Sequence, residues 1–175
     1  MKTFPSALLL AGIHLALVGS LGLKLAVDRR VRPRVWVKAA PVDPELPVRG
    51  RYVALRLEVP VRGASLPPTG QASGRHVLYV RLEAEGRSLR ALAGPEGSDG
   101  MVGASLPETM RGLPRDQWHV VLEEPLAFFL PERGADPSRL VPGEELWVEA
   151  TLPRKGPLRP IRLAIRKGAM FRTLS

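Results

Sequence analysis

Pro41-Val42-Asp43-Pro44-Glu45-Leu46-Pro47-Val48-Arg49-Gly50-Arg51-Tyr52-Val53-Ala54-Leu55-Arg56-Leu57-Glu58-Val59 joins a proline-punctuated loop to the most regular alternation in the chain. Pro41, Pro44 and Pro47 each fix φ and remove a backbone donor, which keeps the loop extended. From Tyr52 the pattern changes to period two. Val53, Leu55, Leu57 and Val59 fall on one side of a strand, and Tyr52, Ala54, Arg56 and Glu58 on the other. Four branched apolar residues at strict alternation predict a strand with one face in a core.

Working outward, the same period recurs. His76 to Ala84 alternates with Leu78, Val80 and Leu82 inward, and Glu85-Gly86-Arg87 connects it to a returning run, Ser88 to Leu92, as a hairpin. Trp118 to Leu122 and Ala127 to Leu130 are further short apolar runs. Glu145 to Leu152 places Leu146, Val148 and Ala150 on one face, and Ile161, Leu163 and Ile165 alternate against Arg162, Ala164 and Arg166. Gly94 to Pro107, rich in glycine, reads as loop. Asp136-Pro137-Ser138-Arg139-Leu140 reads as one helical turn, with Asp136 as its N-cap and Pro137 at its first position. Short strands separated by turn residues predict an all-β fold, a small antiparallel β-barrel or sandwich.

Before the strands stands one apolar span. Phe4 to Leu23 carries no charge, and as a helix it would extend roughly 30 Å, the thickness of a bilayer's hydrocarbon core. Leu25-Ala26-Val27 makes a poor cleavage site and Asp28-Arg29-Arg30 follows it, so the span reads as a retained, single-pass transmembrane anchor. Gly12, Ala16 and Ser20 recur every four residues, a small-residue stripe along which another helix could approach. His14 lies near mid-span on a different side of the helix, where an ionisable residue commonly meets a partner or a cavity. The predicted division is an anchor over 1–27, a basic connector and first strand over 28–40, and a β domain over 41–175. The expected partners are the lipid bilayer and a multi-pass membrane protein.

The central stretch also resembles a known family. Pro41-Val42-Asp43-Pro44 followed by Gly50-Arg51-Tyr52-Val53-Ala54-Leu55-Arg56-Leu57 is similar to the signature of the GDYXXLXY proteins, small bacterial membrane-associated proteins. Gly50, Tyr52 and Leu55 match it; Arg51 stands where that signature has Asp, and Leu57 where it has a second Tyr. Phe128-Phe129-Leu130-Pro131-Glu132-Arg133-Gly134 resembles a second element of the family. The resemblance implies a domain outside the cytoplasmic membrane. It marks Asp43, Arg51, Tyr52 and Glu132 as the candidate functional surface. The basic flank implies the opposite side: only Lys2 precedes the span, whereas Lys24, Arg29, Arg30, Arg32, Arg34 and Lys38 follow it.

Composition narrows the chemistry. The formal net charge is +9, carried mostly by arginine. These arginines are scattered through predicted strands without a basic–aromatic cluster or a recognised binding motif, so nucleic acid is not an expected partner. There is no cysteine, hence no disulfide and no thiolate metal site. The absence of Asn and the 18 prolines suit a thermophile's protein or a GC-rich genome equally. His14, His76 and His119 are not spaced as metal ligands, and neither a metal nor a cofactor is expected. Glu123 and Glu124 are adjacent, which on one strand would turn them to opposite faces. The lysines after the anchor lack the Ser–Lys arrangement of a membrane-tethered signal peptidase. Two readings remain: a membrane-anchored, non-enzymatic binding module, or a ligand-binding or hydrolytic β-barrel using Asp43, Tyr52 and Glu132.

Overall fold

The computed structural model describes residues 4–42, 52–63, 76–130, 137, 139–154 and 156–174. Asp43, Arg51 and Glu132 lie outside the described residues, as do Asp136 and Ser138 of the expected helical turn; Pro137 lies in a turn, and Arg139 and Leu140 are not helical. The chain divides into two units, Met1–Arg32 and Pro33–Ser175.

The first unit is a single helix, α1, Phe4–Val31. It continues through Asp28, where the sequence suggests a connector, because Arg29, Arg30 and Val31 contain neither proline nor glycine to stop it; Pro33 does. From Leu8 to Val27 it is apolar all round and none of it is buried. It is long and apolar enough to cross a membrane, and a helix satisfies its own backbone there.

The second unit is one continuous sheet of ten strands among the described residues. In chain order these are β1 (Arg34–Val42), β2 (Tyr52–Arg62), β3 (His76–Glu85), β4 (Ser88–Gly94) and β5 (Met101–Leu106), then β6 (His119–Leu122), β7 (Leu126–Phe129), β8 (Glu144–Thr151), β9 (Arg159–Lys167) and β10 (Met170–Leu174). Two short 3₁₀ turns, Glu108–Gly112 and Arg115–Gln117, lie between β5 and β6.

β2 uses both edges twice. Its first half pairs antiparallel with β1, from Val42↔Ala54 to Lys38↔Glu58, and with β7, from Tyr52↔Phe129 to Leu55↔Leu126. Its second half pairs antiparallel with β6 over Glu58 to Pro60 and parallel with β4 at Val61 and Arg62. Since β4 pairs with β3, β3 with β5, and β5 with β6, the ladder closes into a five-stranded ring through β2. β1, β8, β9 and β10 continue from β2 as an antiparallel wing. The all-β expectation therefore holds, as one curled sheet around one core.

That core takes inward residues from the strands the sequence marked; Leu78, Leu82 and Ile165 are only partly buried against it, Ile161 stays outside it, and Ala164, expected on the other face, is fully buried. Val53, Leu55, Leu57 and Val59 are buried, with Leu55 and Val59 fully enclosed. Val35, Val37, Leu146, Val148, Val80 and Leu163 join them. Among the described residues, every member of this core lies in the second unit. On the opposite face of β2, Arg56 is exposed, but Ala54 is buried: its methyl lies low between Val42 of β1 and Ala127 of β7. Glycine matters at two strand exits. Gly86 (φ 60°) makes the two-residue β3–β4 turn. A Cβ on Gly63 (φ 136°) would lie 2.7 Å from the carbonyl of Ala93 as the chain leaves β2 past β4.

β5 corrects the expected loop. Gly103-Ala104-Ser105 shows no alternation of large apolar residues because its one core-facing residue, Ala104, is small and fully enclosed. Ala104 is fully buried, and a Cβ on Gly103 would lie 2.9 Å from Oε2 of Glu123.

Leu55→Ala should cost the domain roughly 2–5 kcal/mol by leaving a cavity at the crowded centre of β2. Arg56→Ala should stay within about 0.5 kcal/mol. Thermal melts of residues 33–175 check the contrast; equal losses would show that both faces of β2 carry the packing.

Candidate functional site

The alternation that turns Val35, Val37 and Ala39 into the core turns Trp36 and Lys38 outward. β8 does the same with Glu145, Trp147 and Glu149, of which Trp147 and Glu149 register against Lys38 and Trp36. β9 adds Arg162, Ala164 and Arg166 on that face, opposite Glu149, Trp147 and Glu145, and β10 adds Phe171 opposite Arg166. β10 lies three strand spacings from β1, about 14 Å on a flat sheet. Yet the ring of Phe171 meets that of Trp36 edge-on at 4.7 Å, and that of Trp147 at 6.5 Å. The wing must curl for rings that far apart in the ladder to touch.

Two guanidinium groups cover the indoles. Arg162 stands 5.6 Å from the centre of Trp36 and Arg166 5.7 Å from that of Trp147, distances at which a cation is drawn to the ring face. Arg162 also donates from Nε to Oε2 of Glu149 at 2.6 Å. Glu149, though on this outward face, is covered to 3% exposure, the one buried charged residue among the described residues, and such a carboxylate requires a partner. Lys38 bridges Glu58 at 3.2 Å and Glu145 at 3.4 Å. Burial works against its charge, but the two carboxylates outweigh that and hold its ammonium above the ordinary value.

Beside the rings opens a cleft of about 350 Å³ lined by Trp36, Arg87, Ser88, Trp147, Arg166 and Phe171. Arg87 is placed by the β3–β4 turn, which is fastened to β1 by the Trp36 amide donating to the Arg87 carbonyl at 2.7 Å. Three aromatic rings, two guanidiniums and a hydroxyl line the cleft, without a carboxylate. Such a surface suits an anionic group carried on an apolar body.

A second cleft, of about 370 Å³, has an apolar floor including Leu57, Leu82, Leu126 and Leu158, with Glu123 and Glu124 in its wall. The two carboxylates share it because β6 ends at Leu122, so the strand rule that would separate them no longer applies. Nearby, hydrogen bonding to Glu96, then its negative charge, raises the pKa of Tyr79, with smaller contributions from desolvation and Glu123.

Of the four surface candidates from the sequence, only Tyr52 is described. It is half-buried on β2, its ring 6.3 Å from that of Phe129 on β7. Along α1 the ring of His14 bonds from Nδ1 to the Leu10 carbonyl at 2.9 Å, and Ser20 donates to the Leu17 carbonyl at 2.8 Å. His14 thus satisfies one ring nitrogen within its own helix. Gly12 has open space around it, and Ala16 is exposed. No cluster of three or more metal-ligating side chains occurs among the described residues.

The basic–aromatic cluster that the linear sequence lacks is thus assembled by folding. Trp36, Trp147 and Phe171 lie far apart in the chain, and only the β1–β8–β9–β10 ladder brings them together. The one sequence signal available was an aromatic at an outward position of three alternating or terminal runs. No family model, curated protein or solved structure matches the chain.

Arg162→Ala should destabilise the domain by about 1–3 kcal/mol, because it leaves the Glu149 carboxylate buried without its ion pair; half-exposure of the arginine side chain keeps the loss at that level. Adding Glu149→Gln should recover part of the loss. Denaturant melts of the two single variants and the double variant give the coupling; additive losses would show that the pair contributes nothing of its own.

Proposed function

We propose that this chain is a membrane-anchored, non-enzymatic binding module. In this reading α1 is held in the bilayer, the β domain lies outside the cytoplasm, and the whole associates with a multi-pass membrane protein. The observation that carries it is the exposure of α1: from Leu8 to Val27 an all-round apolar helix is left uncovered by its own chain. Such a helix finds its solvent in lipid or against other membrane helices. The Gly12, Ala16 and Ser20 stripe offers close approach to a neighbouring helix. The outward-facing Trp36, Trp147 and Phe171, with their arginines, support recognition as the work of the domain. The resemblance to the GDYXXLXY proteins accords with the same placement.

A photo-cross-linking residue introduced at Ala16 of the full chain, in its native membranes, tests this. The expected product is an adduct with a polytopic membrane protein, while the chain itself resists alkaline extraction. A chain released by alkali would overturn the anchor. Retention with lipid adducts alone would overturn the protein partner.

A further inference from the structure

We propose that the outward face of the wing is a docking surface for anionic phospholipid headgroups, with the Trp36–Arg87–Trp147–Arg166–Phe171 cleft receiving the phosphate. This rests on the reading that α1 lies in a bilayer, and goes beyond it by assigning a ligand to the soluble domain.

Three observations point the same way. The first is chemical. Among the described residues Arg87 has no ion pair, and Arg166, which registers opposite Glu145, is held by the Trp147 ring and by donation from Nε to the Gly168 carbonyl at 3.1 Å and makes no ion pair. Both guanidiniums are therefore available to a phosphate, which accepts their paired N–H groups in plane. The carboxylates that share a neighbouring cleft with Arg166, Glu144 and Glu145, have other partners. Glu145 accepts from Lys38 and from the Trp147 indole N–H at 3.3 Å, and Glu144 accepts from the Val141 amide at 3.3 Å.

The second is the tip of the β9–β10 hairpin. Arg166, Lys167, Met170 and Phe171 surround the two-residue turn, all exposed, with Met170 at 71%. Exposed apolar side chains flanked by cations enter the headgroup–acyl boundary while the charges stay among the phosphates. Indole rings favour the same depth.

The third is covalent. The candidate span ends at Val27, α1 at Val31, and Trp36 follows in β1. The path from Val27 to Trp36 can extend no more than about 24 Å. A tether this short holds the face at high effective concentration near the headgroups, so even weak contacts would be populated. Arg29, Arg30, Arg32 and Arg34 on that path add the basic flank that anionic lipid attracts.

Residues 33–175, which hold the described core residues, provide the test without the anchor. They are mixed with phosphatidylcholine vesicles, and with vesicles containing about a third phosphatidylglycerol, in flotation assays at moderate salt. The expected result is binding to the anionic vesicles only, with tryptophan emission quenched by lipid-borne nitroxides; buried Trp118 contributes a constant unquenched background. Arg87→Ala with Arg166→Ala should weaken binding roughly tenfold or more. Arg62→Ala with Arg154→Ala removes the same charge from other exposed positions and should weaken it less than about threefold. Equal losses from the two pairs would reduce the effect to net charge and overturn the proposal. So would absence of vesicle binding, including the case where a single-stranded oligonucleotide binds this face instead. Alkaline extraction of the full chain reads the anchor separately, so either part can fail alone.

Discussion

A single strand, β2, is hydrogen-bonded along both edges to four different partners, and the rest of the domain depends on that arrangement. An ordinary central strand has two neighbours. Here the first half of β2 serves the wing and the second half closes the ring, so neither region has an independent core. The inward residues Val53, Leu55, Leu57, Val59 and Val61 run through the middle of one hydrophobic cluster that touches both. Closing the ring through β2 pairs strands that an open sheet would leave as edges, and β10 and β7 end the sheet.

The candidate site follows from the same constraint. Once β1 is pinned to β2 with Val35, Val37 and Ala39 inward, the side chains between them have only the outer face. Each further strand of the wing then adds one outward row: Trp147 and Glu149 from β8, Arg162 and Arg166 from β9, Phe171 from β10. The electrostatics fix the rows in place. Glu149 is buried beneath the cover of its ion pair with Arg162, and Lys38 is drawn to carboxylates on both neighbouring strands, Glu58 on β2 and Glu145 on β8. An exposed surface salt bridge contributes little. This network is partly buried and joins four strands, β1, β2, β8 and β9, around Trp36 and Trp147.

Much of the fold could be read from the sequence wherever period-two alternation used large side chains. Tyr52 to Val59, Leu78 to Leu82 and Leu146 to Ala150 all took the predicted side, and the β3–β4 hairpin turns at Gly86 as its glycine suggested. β5 is hard to read because Gly103 and the enclosed Ala104 are small and carry no hydrophobic signal. α1 outran its predicted end because charge at Asp28 to Arg30 marks the edge of a membrane span and not the end of a helix. The site was almost illegible. Its aromatic rings meet through strand register across more than a hundred residues, and register is set by long-range pairing that no local pattern encodes. Asp43, Arg51 and Glu132, chosen through motif resemblance, lie outside the described residues, and the face made by Trp36, Trp147 and Phe171 involves none of them.

Native-state amide hydrogen exchange on residues 33–175 tests the central role of β2 most directly. If β2 joins ring and wing into one cooperative unit, amides from Leu55 to Val61 will exchange only through global unfolding, with protection equal to the stability from denaturant melts. Amides of the edge strand β10 will exchange faster, by local opening. Exchange of β2 through a smaller, sub-global opening while β8 and β9 stay protected would contradict the account, for the wing would then hold together without the strand from which it is built.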